Sequence, residues 1–442
     1  MIMDGSTLST IGIVVSLAFI IALALRGWHI IVLAPLAAII AALFSDLDVL
    51  ETLTGPYMTG FTNYARRFYL IFLMGTLFGK FMEDSGAARS VAHAIMKLIG
   101  GGTDKPLRVL VAFSLVPMAL TYGGVSLFVV IFTVLPVARH LWQEADIPWH
   151  LFILSFVFGA ASMTMTMLPG TPQIQNIMPT KYMQSTPASA PVLGLLGAGV
   201  VFTLNVLYMR YCVRKYKREG EHYVPPSGVG VITAETVDTG DMPNVWLSLI
   251  PMGVVLVFLN APAVRVDPIF ALSIGVLVAM AMFWRRYTNV VETMSKGALN
   301  TVIPIVNTCA DVGYGMAIAA TAGFKVVSTW LLTLPMHPIV SLSIATNIMA
   351  AITGSASGGM GIVLETLVPK YLALGLSPDL VHRIVAMSSG CFDAMPHNGA
   401  VITMLAVAGL THRQAYRHIF IGHVVATIVA LLIVIPLGIL IY

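Results

Sequence analysis

Charge is what this sequence has least of. Asp, Glu, Lys and Arg make up 10% of its 442 residues, while hydrophobic types make up 57%. A soluble globular domain carries about 25% charged residues, so the deficit excludes a water-soluble enzyme or binding module and points to a polytopic membrane protein. Cysteine is nearly absent. Cys212, Cys309 and Cys391 are scattered without a C-x-x-C spacing, which excludes a disulfide framework and a cysteine-based zinc site. No G-x-x-x-x-G-K-[ST] occurs, so no ATP-driven engine is encoded here. The net charge of +4 is modest, and the basic residues stand at the ends of apolar segments. They read as topology signals and not as a nucleic-acid surface. The first residues, Met1-Ile2-Met3-Asp4-Gly5, lack the basic n-region of a cleaved signal peptide, so 9–25 reads as a retained transmembrane helix. Long hydrophilic stretches are missing as well, with one exception at 213–243, which contains Pro225-Pro226 and reads as a linker between two halves.

What is present is a series of apolar segments of spanning length, at about 8–25, 28–45, 66–82, 192–212, 244–261, 268–284, 298–320 and 414–441. Two regions differ from these. In 106–140 an apolar run reaches Thr121-Tyr122-Gly123-Gly124-Val125-Ser126 and a second run follows; in 336–376 the same layout surrounds Thr353-Gly354-Ser355-Ala356-Ser357-Gly358-Gly359. Each flank is too short to cross as one of a pair, so each region predicts a re-entrant hairpin with its tip inside the membrane. Glycines there let backbone approach a ligand. The helices that follow, about 149–168 and 378–395, run into Met167-Leu168-Pro169-Gly170-Thr171-Pro172-Gln173-Ile174-Gln175-Asn176 and Ala394-Met395-Pro396-His397-Asn398-Gly399-Ala400-Val401. Such breaks survive in a membrane only where protein or a water-filled cavity satisfies the freed backbone groups. A matched pair of them marks a transporter's binding site.

The landmarks repeat in the same order at an offset of roughly 230 residues. Gly79-Lys80-Phe81-Met82-Glu83-Asp84-Ser85-Gly86 parallels Gly315-Met316-Ala317-Ile318-Ala319-Ala320-Thr321-Ala322-Gly323; Pro136 and Pro369 close the hairpins; Ile147-Pro148 and Ser377-Pro378 open the broken helices. The expected fold is an all-α polytopic membrane protein of two inverted repeats, each crossing five times. The first is 1–212 (hairpin 106–140, broken helix 149–185), then comes the linker 213–243, then the second repeat 244–442 (hairpin 336–376, broken helix 378–409). Arg210, Arg214, Lys215, Lys217 and Arg218 put the linker in the cytoplasm. That orientation also places Arg26, Lys97, Lys105, Arg108, Arg285, Arg286, Arg413 and Arg417 inside and Asp46, Asp48 and Glu51 outside, with Arg66 and Arg67 outside against the rule. Both termini are then extracytoplasmic, the first hairpin opens from the cytoplasm, and the second opens from outside.

Three stretches carry a family resemblance over nearly the whole chain: Phe78-Gly79-Lys80-Phe81-Met82-Glu83-Asp84-Ser85-Gly86-Ala87-Ala88, then Leu120-Thr121-Tyr122-Gly123-Gly124-Val125-Ser126-Leu127-Phe128-Val129-Val130, then Leu168 to Pro179. With them the chain resembles the GntP gluconate-permease type within the ion-transporter superfamily, and it looks more like the members tied to 3-hydroxybutyrate. The resemblance implies symport of small hydroxy-carboxylates with protons, on a dimer with a scaffold and a transport domain in each protomer, in the cytoplasmic (inner) membrane of a bacterium. Pro169-Gly170-Thr171-Pro172-Gln173 departs from the gluconate-type pattern and turns the expectation away from a sugar acid. Sodium is the alternative coupling ion, held by hairpin carbonyls and Ser or Asn oxygens. No cofactor is implied.

A carboxylate is met by hydrogen-bond donors and positive potential, which half-helix N-termini supply. Four such ends are expected, after Gly124, Thr171, Gly358 and Asn398, with Ser126, Thr171, Gln173, Asn176, Ser355, Ser357 and Asn398 beside them to read a substrate hydroxyl. The alternative role of these small polar residues is to cap the breaks. His397 sits at the second break, and an imidazole suits proton coupling or carboxylate binding. Asp393, one turn earlier, is its expected partner, and Glu365 beyond the second tip is a further candidate for the coupled proton. Lys80, Glu83, Asp84 and Arg89 form a charged helix end with internal ion pairs. Asp311 reads as packed against a polar neighbour, and Trp28, Trp142, Trp149 and Trp284 as interfacial belt residues. Two rival classes stay open: an anion channel, and an intramembrane hydrolase with Ser357 or Ser389 as nucleophile and His397 as base.

Overall fold

The computed structural model describes residues 5–24, 26, 28–97, 105–226 and 242–442, and every regular element among them is helical. Apolar sequence dictates this, because a helix satisfies its own backbone where lipid cannot. The first half begins with the pair α1 (Gly5–Ala24) and α2 (Ile30–Phe44). A long helix follows, α3 (Val49–Thr52) running through a π turn into α4 (Met58–Asp84), and then the short α5 (Ala87–Lys97). A hairpin of α6 (Lys105–Tyr122) and α7 (Leu127–Glu144) precedes a broken helix. That helix is α8 (Leu151–Val157) with a π segment Phe158–Met167, an extended stretch, and α9 (Ile174–Ile177); α10 (Pro191–Glu219) closes the half.

The second half repeats the order: α11 (Val245–Asn260) with α12 (Pro268–Met282), the long α13 (Val290–Ala319), and the short α14 (Ala322–Thr333). The hairpin is α15 (Pro338–Thr353) against α16 (Ala356–Thr366) and α17 (Val368–Ala373). The broken helix is α18 (Pro378–Ser389) and α19 (Gly399–Ala408), and α20 (His412–Ile419) continues through a π turn into α21 (Ala426–Ile441). Among the described residues five helices are long and apolar enough to cross a membrane: Gly5–Ala24, Lys105–Tyr122, Pro191–Glu219, Val290–Ala319 and His412–Ile441; the second of these is a flank of the first hairpin, expected from the sequence to be too short to cross. Several others, Leu151–Met167 and Pro338–Thr353 among them, are apolar but shorter.

The two long helices α4 and α13 lie along each other at the centre, with α2 packed on α13 and α12 on α4. Small residues permit this approach. A Cβ at Gly60 would lie 2.8 Å from the Val312 carbonyl, and one at Gly313 would lie 2.9 Å from that of Tyr57. The hydroxyls of Thr76 and Thr301 meet across the seam at 2.6 Å. A second group of helices collects around the breaks: α6 packs on the Phe158–Met167 segment, α15 on α18, and α10 on α21.

Several expectations need adjustment. The helices α5 and α14 were not anticipated; each lies between the central helix and the hairpin of its half. The segment 213–219 belongs to α10, which ends in a left-handed Gly220 (φ +68°) with Lys217 and Arg218 in its last turn, where positive charge suits the helix dipole. Beyond it, His222 Nδ1 lies 2.7 Å from Asp146 and the Tyr223 N–H donates to the same carboxylate. The hydrogen bond with His222, then that from Tyr223, holds the Asp146 carboxyl below its ordinary range. The rest of the expected linker, 227–241, and residues 1–4 and Leu25 of the expected N-terminal span lie outside the described residues. Trp142 and Trp149 are not belt residues. Both are buried, edge-on to each other, and pack on Phe152, with Trp149 Nε1 donating to the Ala408 carbonyl. Trp28 and Trp284 are exposed.

Candidate functional site

Each hairpin tip turns on a glycine with positive φ, and each such glycine packs against the break of its own half. Gly124 has φ +101°, and a Cβ there would lie 3.2 Å from Pro172. Gly354 has φ +58°, and a Cβ there would lie 2.5 Å from the His397 ring. Gly354→Ala is therefore expected to cost about 1–2 kcal/mol from the left-handed backbone alone, with displacement of His397 in addition. The check is the thermal unfolding midpoint beside Gly253→Ala, a helical glycine whose Cβ would meet nothing within 4 Å. Equal midpoints for the two variants would show that the tip does not press on the break.

Two cavities lie between tips and breaks. The first, of about 170 Å³, reaches Gly124, Ser126, Gln173, Asn398, Asp393 and His423, and is otherwise walled largely by apolar side chains such as Ile71, Leu127, Leu272, Val401 and Met404. The second, of about 280 Å³, is lined by Asn307, Thr308, Asp311, Ser355, Ser357, His397 and both Asp393 and Asn398. The two share a wall of seven residues, Phe72, Met165, Ile174, Pro304, Asp393, Asn398 and Ala400. Asp393 is the one ionisable side chain in that wall. A larger recess of about 600 Å³ opens beside the basic end of α10, with Lys215, Arg413 and Arg417, and shares no lining residue with either cavity.

The partner of Asp393 is not the expected one. Its Oδ1 lies 3.0 Å from Nε2 of His423, and Nδ1 of that ring lies 2.7 Å from the Ser162 hydroxyl. His423 belongs to the π turn Phe420–Val425, and Ser162 to the π segment of the first broken helix; the extra residue in each turn brings these side chains to face each other. The chain Ser162–His423–Asp393 thus joins the first broken helix to the second break through the last helix. Sequence reasoning missed His423. The signal was available: His423 stands just inside the apolar part of the helix His412–Ile441, beyond its polar first turns, and an ionisable residue there is as conspicuous as one at a break. His397 instead packs on Gly354 near the backbone of Ala351 and Ile352, and both its ring nitrogens are buried without a hydrogen-bond partner.

The other sequence candidates divide. Gly124, Ser126 and Gln173 reach the first cavity, Ser355, Ser357 and His397 the second, and Asn398 both. Ser126 precedes α7 with no side-chain capping bond, which leaves its hydroxyl for a ligand. Ser355 and Asn398 are engaged in capping, accepting from the N–H groups of Gly358 and Val401. Thr171 and Asn176 line neither cavity. Both are fully buried, Thr171 donating to the Thr164 carbonyl and Asn176 to Thr171 Oγ1 and the Leu168 carbonyl. They shape the break from within, because an interrupted helix must return its orphaned carbonyls to some donor. The half-helix expected after Thr171 is one turn long, Ile174–Ile177, too short to build an anion site. Helix α16 starts at Ala356, ahead of Gly358. Glu365 also leaves the cavities, pairing at 3.0 Å with Arg67, whose guanidinium lies over the Tyr182 ring. That pairing neutralises Arg67, one of the two arginines that run against the charge rule. Lys80 pairs with Glu83 and Asp84 as expected. The hydrolase pairing does not form: Ser389 donates to the Ala386 carbonyl, and Ser357 faces Thr308.

An arginine inside the second broken helix, missed by sequence reasoning although an intramembrane charge is itself a signal, anchors the first break. Arg383, on α18 and fully buried, donates to the carbonyls of Ser189 and Pro187 and to Oδ1 of Asn176.

No protein-family model matches the chain. It is 34% identical over 449 aligned residues to the uncharacterized transporter YxjC of Bacillus subtilis, an alignment spanning 92% of this chain and 94% of that one. It is 24% identical over 405 residues, 86% of each chain, to the high-affinity gluconate transporter of Escherichia coli. Among solved structures it resembles the YdaH transporter of Alcanivorax borkumensis, with a TM-score of 0.55 and 17% identity over 89% of this chain and 88% of that one. It likewise resembles MtrF of Neisseria gonorrhoeae, described as illuminating a class of antimetabolite efflux pumps, with a TM-score of 0.53 and 11% identity over 91% and 94%. At these identities the structural likeness is one of fold.

Proposed function

The chain belongs to the GntP-type gluconate permease family of membrane transporters, and we propose that it takes up a small hydroxy-monocarboxylate by proton-coupled symport across the cytoplasmic membrane of a bacterium. The observation that carries this reading is the position of Asp393, in the wall shared by both cavities and joined to His423. An intramembrane carboxylate at a ligand cavity is a natural carrier of a coupled proton. His397, unpartnered at the adjoining tip, is a second proton or carboxylate acceptor.

The first cavity suits a short substrate. Ser126, the amide N–H of Gln173 that is not given to the Thr121 carbonyl, and the N-terminus of α19 supply donors for one carboxylate and one hydroxyl, and the apolar wall receives a methyl-bearing chain. A polyhydroxy acid would turn several hydroxyls against Ile71, Leu127 and Met404 without partners, which costs about 1–3 kcal/mol for each buried polar group. A 3-hydroxybutyrate-like acid is therefore favoured over gluconate. In this reading the α1–α4 and α11–α13 helices form the scaffold, with a second copy of the chain bound through it. The re-entrant hairpins and broken helices move against that scaffold, and both termini are extracytoplasmic.

Proteoliposomes test this directly. Saturable uptake that follows an imposed pH gradient is expected, with 3-hydroxybutyrate and lactate more effective than gluconate, citrate or serine in counterflow. Passive ion conductance, or uptake indifferent to proton and sodium gradients, would remove the reading. Ser126→Ala combined with Gln173→Ala is expected to raise KM about 10-fold or more, the loss of one to two hydrogen bonds to a charged group, with little change in maximal rate. An unchanged KM would place the substrate elsewhere.

A further inference from the structure

The recess of about 600 Å³ has no part in the site between tips and breaks. It opens where α8 and α20 begin and α10 ends, so chain direction places all three at one end of the molecule. In the proposed orientation that end is cytoplasmic. Arg413 and Arg417 stand one turn apart on α20 and both line the recess. Both are exposed, and among the described residues neither guanidinium has a hydrogen-bond or ion-pair partner. Between them, the Gln414 amide oxygen accepts from the N–H and the hydroxyl of Thr411, and its NH2 group remains. Lys215 reaches the same space from α10, 3.6 Å from Glu219, and Glu221 is the other carboxylate in the wall. Trp149, Leu151, Val224 and Leu410 give the recess an apolar side.

A guanidinium presents a fork that pairs two donors with two oxygens. A carboxylate has only two oxygens, and one fork fills it. A phosphate group has oxygens for both forks and for the Gln414 amide. Small-molecule cavities measure about 300–1,000 Å³, so the volume leaves room for the organic group that carries the phosphate, against the apolar side. Basic pockets between helices at the cytoplasmic face of a membrane hold phospholipid headgroups, and a soluble phosphate ester presents the same chemistry.

We infer that Arg413, Arg417 and Gln414, with Lys215 across the recess, bind the phosphate group of an anionic ligand, a phospholipid headgroup or a soluble phosphate ester. The recess connects with the breaks through its histidines. His150, at the start of α8, stacks on His418 of α20 with ring centroids 4.9 Å apart, and Nδ1 of His418 lies 3.1 Å from the Tyr208 hydroxyl on α10. Helix α8 continues into the π segment that carries Ser162, and α20 into the π turn that carries His423. A phosphate held between α10 and α20 fixes the spacing of these helices at one end, and with it the chain Ser162–His423–Asp393 further along them. That bearing on uptake rests on the transporter reading; the binding itself does not.

The test uses the purified full-length protein in nanodiscs of phosphatidylcholine. Phosphatidylglycerol is mixed into the bilayer in one series, and glycerol phosphate is added to the buffer in the other. A saturable rise of the unfolding midpoint is expected in at least one series, and the series that shows it identifies the source of the phosphate. Arg413→Gln combined with Arg417→Gln should raise the half-saturating concentration about 10-fold or more, from the loss of hydrogen bonds to a charged group. Arg285→Gln, which removes an exposed basic residue outside the recess, should leave it unchanged. No rise in either series overturns the inference, as does a rise that the paired variant leaves undiminished or that Arg285→Gln reduces equally. Should the paired variant fail to fold, Arg413→Gln and Arg417→Gln decide singly. Carboxylate uptake measured in parallel separates the two readings. Binding without uptake removes the transport role and leaves the site, and uptake without binding removes the site alone.

Discussion

Asp393→Asn is expected to abolish accumulation of substrate driven by a pH gradient while sparing exchange of labelled for unlabelled substrate at equilibrium. Asparagine keeps the size of the side chain and its bond to His423, but it cannot carry a proton on and off. Coupling free energies of about 1–3 kcal/mol correspond to roughly 5–150-fold. The upper end is expected here because Asp393 is the one ionisable side chain common to both cavity walls. His423→Gln should give the same split in weaker form, since it removes the ring that bridges Asp393 and Ser162 and leaves the carboxylate in place. Glu365→Gln is the contrasting variant, because Glu365 is paired with Arg67 away from both cavities. Gradient-driven accumulation that persists in Asp393→Asn would move the coupled proton to His397 or to another group.

The contrast between Asp393 and Glu365 shows what the sequence could and could not reveal. Glycine and proline mark interruptions, so both hairpin turns and both breaks fall within the stretches that the sequence points to, although the second tip turns at Gly354 and not at Gly358. Direction of side chains was not legible. Thr171 and Asn176 look identical in type to Ser126 and Gln173, yet the former pair lines neither cavity and is spent on carbonyls freed by the break, while Gln173 gives one amide N–H to the Thr121 carbonyl and still lines the first cavity. Which oxygen a broken backbone leaves unpaired depends on its path, and no residue pattern encodes that path. Helices α5 and α14 escaped notice because they are short and about one-third polar, below the length at which an apolar count signals a span. His423 was overlooked for a different reason: it follows the polar turns at 412–418 closely enough to read as part of that polar end of the last span.

The largest loss of stability is expected from Arg383→Met. This arginine is fully buried and paired with no carboxylate; its donors go to the Ser189 carbonyl at 3.0 and 2.9 Å, the Pro187 carbonyl at 3.1 Å and Asn176 Oδ1 at 2.8 Å. Asn176 in turn holds the Leu168 carbonyl and Thr171, and Asp379, one turn before Arg383, accepts from the Ser189 hydroxyl. Methionine would fill much of the volume and remove the cost of a desolvated charge, which works in its favour. It would also orphan the Ser189 carbonyl and the Asn176 Oδ1, at about 1–3 kcal/mol each, and leave the Pro187 carbonyl with only the Gly170 N–H; these are the groups that fold the first break. A net loss of about 3–5 kcal/mol is expected, read as a fall in the unfolding midpoint and in the monodisperse fraction in detergent. Arg383→Lys should recover only part of it, because an ammonium cannot span the same fork of acceptors. An unchanged midpoint in Arg383→Met would show that the loop is held by other contacts. The connection also constrains the motion. Arg383 stands on the second broken helix and clamps the break of the first, so the two breaks cannot travel separately without exposing these acceptors. In the proposed transport cycle, a change of access to the shared wall is therefore expected to carry both breaks together past α4 and α13.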